Sequence, residues 1–161
     1  MDKKKSVALV AHDNMKRDLA EWVDWNSSKL RKHHMVCTGT TGKMVEKTLL
    51  AHREEQESAI EEPMVLNITL LKSGPLGGDQ QLGSMIADGK ISTLIFFCDP
   101  MAAQPHDVDV KALLRLASLY NVPTAVNRST ADFIISSPLF DDDEYTPEVK
   151  DYKAYVERVL K

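Results

Sequence analysis

The chain is poor in cysteine, and it has no long apolar run. Its two cysteines, Cys37 and Cys98, each sit inside an apolar stretch, far apart and without metal-ligand spacing. That pattern reads as buried free thiols and excludes a disulfide scaffold. No run is long enough to cross a membrane. The charged start, Met1-Asp2-Lys3-Lys4-Lys5, precedes an apolar stretch too short for a secretory leader, so a cytoplasmic protein is expected. An excess of positive charge is also missing. The formal net charge is −4, which argues against non-specific nucleic-acid binding and means that a site for a small anion must be locally positive. The sequence contains no Walker loop, no dinucleotide fingerprint and no His-x-x-x-His pair. A catalytic metal held by His12, His106 and nearby acids therefore has no spacing to support it. With 161 residues, 43% of them hydrophobic, residues 1–161 read as one globular domain around a single core.

The glycines are concentrated. Residues 73–84, Ser-Gly-Pro-Leu-Gly-Gly-Asp-Gln-Gln-Leu-Gly-Ser, hold four of the seven. Such a segment suits a turn rather than the interior of a helix or strand. A hydrophobic run, Met64 to Leu71, leads in, and Leu82, Met85 and Ile86 lead out at helical spacing. The stretch therefore reads as a turn from the carboxyl end of a strand into a helix, the place where open α/β sheets bind ligands. Asp79 lies at its centre. It is either a group facing a carbon acid or simply a cap for the helix that follows.

Around this stretch, strand and helix signals alternate about five times. Residues 6–11 form a non-alternating apolar run, as a buried parallel strand does, and end at His12-Asp13-Asn14. Asp13 or Asn14 can cap a helix running to about Leu30. Lys16, in its first turn, opposes the helix dipole, so it is either a solvated surface lysine or the partner of an anion. Residues 35–38 read as a second strand, followed by Thr38-Gly39-Thr40-Thr41-Gly42-Lys43. That loop offers hydroxyls, N–H groups and a helix amino terminus together, as phosphate cradles do. Residues 43–62 read as a helix with a charged end, stopped by Pro63. Residues 91–98 are the most hydrophobic run and read as a central strand ending at Asp99-Pro100. A proline-bounded loop then carries His106, Asp107 and Asp109 into a helix reaching about Tyr120. Residues 123–126 predict a fifth strand, and Ser129-Thr130-Ala131-Asp132 a capping box. Residues 141–144 read as a solvated acidic loop. Val149, Tyr152, Val156 and Leu160 recur as in a final amphipathic helix from Pro147 to Lys161.

The architecture these elements favour is a three-layer α/β/α arrangement with a mainly parallel five-stranded sheet. The polar clusters follow strands one to four, so all of them fall on one sheet edge. His12, Asp13, the threonine loop, Asp79, Asp99 and His106 converge there although they are distant in sequence. A phosphate subsite beside a carboxylate and a histidine suits proton transfer on a small phosphorylated carbonyl compound.

Five segments in order carry a family resemblance: Ala11-His12-Asp13, Thr38 to Gly42, Ser73 to Gln81, Phe97-Cys98-Asp99-Pro100, and Pro105 to Arg115. Together they resemble the methylglyoxal synthase family over nearly the whole chain. The resemblance implies a Rossmann-like, methylglyoxal-synthase-like fold. It also implies conversion of dihydroxyacetone phosphate (glycerone phosphate) to methylglyoxal and inorganic phosphate, a bypass of glycolysis, with no metal or organic cofactor. A cytoplasmic homohexamer with allosteric inhibition by phosphate is implied as well, and no nucleic-acid or membrane partner. By position, Asp79 matches the catalytic base and His106 the group at the substrate oxygens. Lys16, Thr38, Gly39, Thr40, Thr41, Ser73 and Gly74 match the phosphate-binding set, and His12 a further substrate contact. Asp13, Asp99 and Asp109 match acids that orient groups or relay protons. Arg158 is similar to an arginine that reaches a neighbouring subunit's site. Two features depart from the family pattern: a longer segment at 49–66, and Val108 where proline is common. The same fold also serves as a regulatory small-molecule-binding domain in carbamoyl phosphate synthetase. The intact Gly78-Asp79-Gln80-Gln81 and His106 favour the enzyme.

Overall fold

The computed structural model describes residues 5–56, 66–102 and 107–159. Its centre is a sheet of five parallel strands in the order β3-β2-β1-β4-β5. The strands are β1 Ser6–Ala11, β2 His34–Thr38, β3 Ile68–Leu71, β4 Thr93–Phe97 and β5 Thr124–Ala125. The helices are α1 Lys16–Trp25, α2 Ser27–Leu30, α3 Gly39–Gln56, α4 Gly78–Ala87, α5 Asp107–Leu119, α6 Arg128–Ser136, α7 Pro138–Asp141 and α8 Lys153–Val156.

Burial on both faces explains why β1 and β4 carry uninterrupted apolar runs. Val7, Leu9 and Ala11 of β1 join Leu19, Trp22 and Val23 of α1, Val45 and Leu49 of α3, and Ile135 of α6 in one core. The alternate residues Ala8 and Val10 join Leu82 and Ile86 of α4 and Val110 and Leu113 of α5 in the other. Two cores on either side of one sheet make the three layers that the sequence predicts. Because the chain winds from β1 to β3 on one side and returns to β4 on the other, the carboxyl ends of β1 and β4 flank the switch point of the sheet.

Several local expectations change. Helix α3 begins at Gly39 rather than Lys43, so the threonine loop is itself the first turn of a helix. Its predicted end near Glu62 lies outside the described residues, as do Met64 and Val65 of the predicted third strand. Asp13 and Asn14 form a short 3-10 turn ahead of α1 and do not cap it, because their side chains are engaged with Lys16 and Asp99. The capping residue of α6 is Asn127, not Ser129: its side chain accepts from Thr130 N at 2.9 Å. Asp132 instead accepts from Trp22 Nε1 at 2.9 Å, tying α6 to α1. Asp141 closes α7 and lies 3.6 Å from Lys29 Nζ, so one member of the acidic run is structural. The helix expected over residues 147–161 shrinks to the four residues of α8. Of its apolar stripe, Tyr152 is partly buried and donates to Leu119 O at 3.3 Å, but Val149 is 46% and Val156 77% exposed, and a helix that short has little stability without packing.

Candidate active site

Ten of the sequence-selected residues line one cavity of about 350 Å³ at the carboxyl edge of the sheet: His12, Asp13, Lys16, Thr38, Gly39, Thr40, Thr41, Ser73, Gly74 and Asp79. Val10, Ala11, Pro75 and Phe96 complete the wall.

The side of this cavity that carries a positive helix end is built by α3. Thr38 ends β2, and Gly39, Thr40 and Thr41 open the helix, so its positive end faces the cavity. Gly39 stands at φ +43°, and a Cβ there would lie 2.6 Å from Ser73 Cα, so glycine permits the two loops to touch. Lys16 reaches across from α1. Its Nζ pairs with Asp13 Oδ1 at 2.7 Å and donates to Thr40 Oγ1. The cation offered to an anion here is a lysine, itself ion-paired with Asp13, held beside a helix amino terminus.

The opposite wall comes from the glycine-rich turn. Ser73 O accepts from Leu76 N at 3.0 Å and from Gly78 N at 2.9 Å, and Gly77 takes the left-handed conformation at φ +106°. Gly77, not Asp79, is the N-cap of α4. Asp79 falls in the helix's first turn with only 3% of its surface exposed, against Gly74: a Cβ on that glycine would lie 3.0 Å from Asp79 Oδ2. The capping alternative for Asp79 is thereby set aside.

His12 stands between β1 and β4. Its backbone N–H donates to Phe97 O at 3.1 Å, and its ring, 8% exposed, meets Phe96 edge-on at 5.2 Å between centroids. Asp99 N donates to His12 Nδ1 at 2.9 Å. The Asp99 carboxylate accepts from Asn14 Nδ2 at 2.8 Å and Met101 N at 3.0 Å. These bonds, the one from Asn14 foremost, hold its carboxyl below the usual carboxylate range. Asp99 thus acts behind His12 rather than on the cavity wall. Asp109 lies half-exposed in the first turn of α5 and does not line the cavity. His106 lies outside the described residues. Arg158 is exposed on the tail, stacked 3.5 Å from the Tyr155 ring centroid and away from the cavity of its own chain.

Two residues take roles that the sequence does not show: Asn14, read as a possible helix cap, holds Asp99, and Gln81, read only as part of a motif, accepts at its Oε1 from Lys72 N at 2.9 Å. Burial pushes the Cys37 thiol up to about 12 and the half-buried Cys98 thiol up to about 11, so neither is a nucleophile at neutral pH. Among the described residues no group of three or more His, Cys, Asp or Glu side chains is placed to hold a metal ion. A larger cavity of about 920 Å³ opens at the opposite edge of the sheet. Two of its polar side chains are already engaged: Lys5 Nζ donates to Leu139 O and Phe140 O, and both His34 ring nitrogens bond hydroxyls. Among the described residues, no helix is long and apolar enough to cross a membrane.

Comparison with known proteins agrees with this fold. The family model for the MGS-like domain matches residues 18–126. The chain is 55% identical to a methylglyoxal synthase from Maridesulfovibrio salexigens over 160 residues, covering 99% of this chain and 100% of the relative. It is 48% identical to a methylglyoxal synthase from Coxiella burnetii over 156 residues, covering 97% and 98%. The crystal structure of methylglyoxal synthase from Elizabethkingia anophelis superposes with a TM-score of 0.81 at 46% identity, covering 100% of this chain and 95% of that one. Matched by that family model over residues 18–126 and by these relatives over nearly its whole length, the chain belongs to the methylglyoxal synthase family.

Proposed function

We propose that the protein is a carbon–oxygen lyase that converts dihydroxyacetone phosphate to methylglyoxal and inorganic phosphate. The observation that carries this reading is the buried Asp79 carboxylate in the same small cavity as Lys16 and the amino terminus of α3. A phosphate seated on Thr38, Gly39, Thr40, Thr41, Ser73 and Gly74 gains N–H and hydroxyl donors, the helix dipole and one ammonium group.

With the phosphate so anchored, Asp79 takes a proton from the hydroxymethyl carbon. The C–H electrons form an enediolate with charge on oxygen. His12 and His106 donate to the substrate oxygens, which lowers the barrier where charge develops. The enediolate electrons then expel phosphate, breaking the carbon–oxygen bond, and the resulting enol takes a proton on carbon to give methylglyoxal. Elimination requires the breaking bond to stand out of the enediolate plane, and the threonine turn is the group that holds it there. Asp13 and Asp99 orient Lys16 and His12.

The same reading carries a cytoplasmic homohexamer inhibited by phosphate, with Arg158 serving a neighbouring subunit. The exposed apolar tail residues Tyr155, Val156 and Val159 support a contact with another copy. Purified protein given dihydroxyacetone phosphate in the presence of a chelator is expected to release methylglyoxal and phosphate in equal amounts. Phosphate binding without turnover would instead indicate a regulatory domain of the same fold.

A further inference from the structure

The backbone of Lys72 joins the two walls of the cavity. Its carbonyl accepts from Gly39 N at 3.1 Å, which fixes the first turn of α3 against the end of β3. Its N–H donates at 2.9 Å to Oε1 of Gln81, which lies on α4 two residues after Asp79. Gly78 packs against the Lys72 carbonyl so tightly that a Cβ there would overlap Lys72 O. The backbone of this one residue therefore holds the phosphate-facing turn with its carbonyl and the aspartate-bearing helix with its N–H, through the two successive peptide units that meet at its Cα.

We propose that Gln81 is a positioning residue: by holding the Lys72 N–H it ties α4 to the residue whose carbonyl seats α3, and so sets the distance between the Asp79 carboxylate and the threonine turn. The inference rests on the reading of Asp79 as the base. Gln81 touches none of the reacting atoms. Its side chain is exposed, so its bond to Lys72 contributes little to global stability, and its removal can be read separately from unfolding. Register at a reacting centre is far more sensitive: a displacement of about 1 Å can cost on the order of 100-fold in rate. The phosphate-facing turn belongs to α3 and stays seated by its own helix, whereas Asp79 travels with α4.

Three variants test the assignment. Gln81→Leu removes the acceptor and Gln81→Asn shortens it by one methylene, while Gln81→Glu keeps an oxygen at the same reach. Expected for Leu and Asn is a kcat lowered about tenfold. Inorganic phosphate affinity should stay within about twofold, and Tm within about 3 °C of wild type. Gln81→Glu is expected to recover most of the lost kcat. Slow hydrogen exchange at the Lys72 amide of the wild-type protein is expected too, a reading that needs no variant. Wild-type kcat in the Leu variant would overturn the proposal. So would rate and phosphate affinity falling together with Tm without rescue by Glu, or an unprotected Lys72 amide. Absence of methylglyoxal from the wild-type protein in the same assay would instead strike the underlying reading of Asp79.

Discussion

The backbone N–H of Asp99 points at Nδ1 of His12, 2.9 Å away. A backbone amide can only donate, so Nδ1 accepts, and the neutral ring carries its proton on Nε2. The loop after β4 thereby selects the tautomer that makes His12 a hydrogen-bond donor. The carboxylate of Asp99 is in turn fixed by Asn14, 85 residues earlier in the chain, at 2.8 Å.

Asn14→Ala removes the largest cause of the low Asp99 pKa. That carboxyl should then titrate at higher pH, observable by carbon-detected NMR. The loop behind His12 loosens, and kcat is expected to fall about tenfold, with a smaller change in KM. An unshifted Asp99 titration would show that Asn14 does not hold it.

His33 has a pH signature unrelated to catalysis. It is buried and meets Phe140 edge-on at 4.9 Å. Burial lowers its pKa from 6.5 despite Asp141 at 3.8 Å, and burial lowers that of His34 as well. Between the lowered folded value and 6.5, the unfolded chain binds more protons than the folded one. Stability is therefore full above about pH 6.5 and declines as pH falls from there toward the folded value. Tm measured from pH 7.5 to 5.5 should fall, and His33→Gln should make the slope shallower. An equal slope in the variant would refute the assignment.

Two neighbouring glycines should separate stability from activity. At Gly78 a Cβ would overlap the Lys72 carbonyl, so Gly78→Ala should lower unfolding free energy by about 3 kcal/mol in urea titrations. At Gly74 the Cβ would press on the Asp79 oxygens at 3.0 and 3.2 Å. Gly74→Ala should cost more in kcat than in stability. The reverse ranking would place the tight packing elsewhere.

Much of this arrangement was legible in the sequence. The apolar runs at 6–11 and 91–98 read as buried strands because parallel strands bury both faces, and the polar clusters after them marked one sheet edge. His12, the threonine turn and Asp79 could be assembled from that topology alone. Asn14 and Gln81 could not. Each acts through one hydrogen bond to a group whose position depends on the fold, and neither follows a local pattern. On α4, Gln81 sits about 200° around from Asp79, and the motif that includes it does not say what its side chain bonds. The tail misled for the opposite reason: Val149, Tyr152 and Val156 recur at helical spacing, but periodicity does not say whether a surface is there to receive the stripe.

The most direct test compares wild type with Asp79→Asn for two quantities: methylglyoxal formed from dihydroxyacetone phosphate, and affinity for inorganic phosphate. The substitution keeps the shape of the side chain and removes the base. The account predicts turnover reduced at least about 100-fold, with phosphate still bound by the threonine turn and Lys16. Undiminished methylglyoxal formation by Asp79→Asn would contradict it.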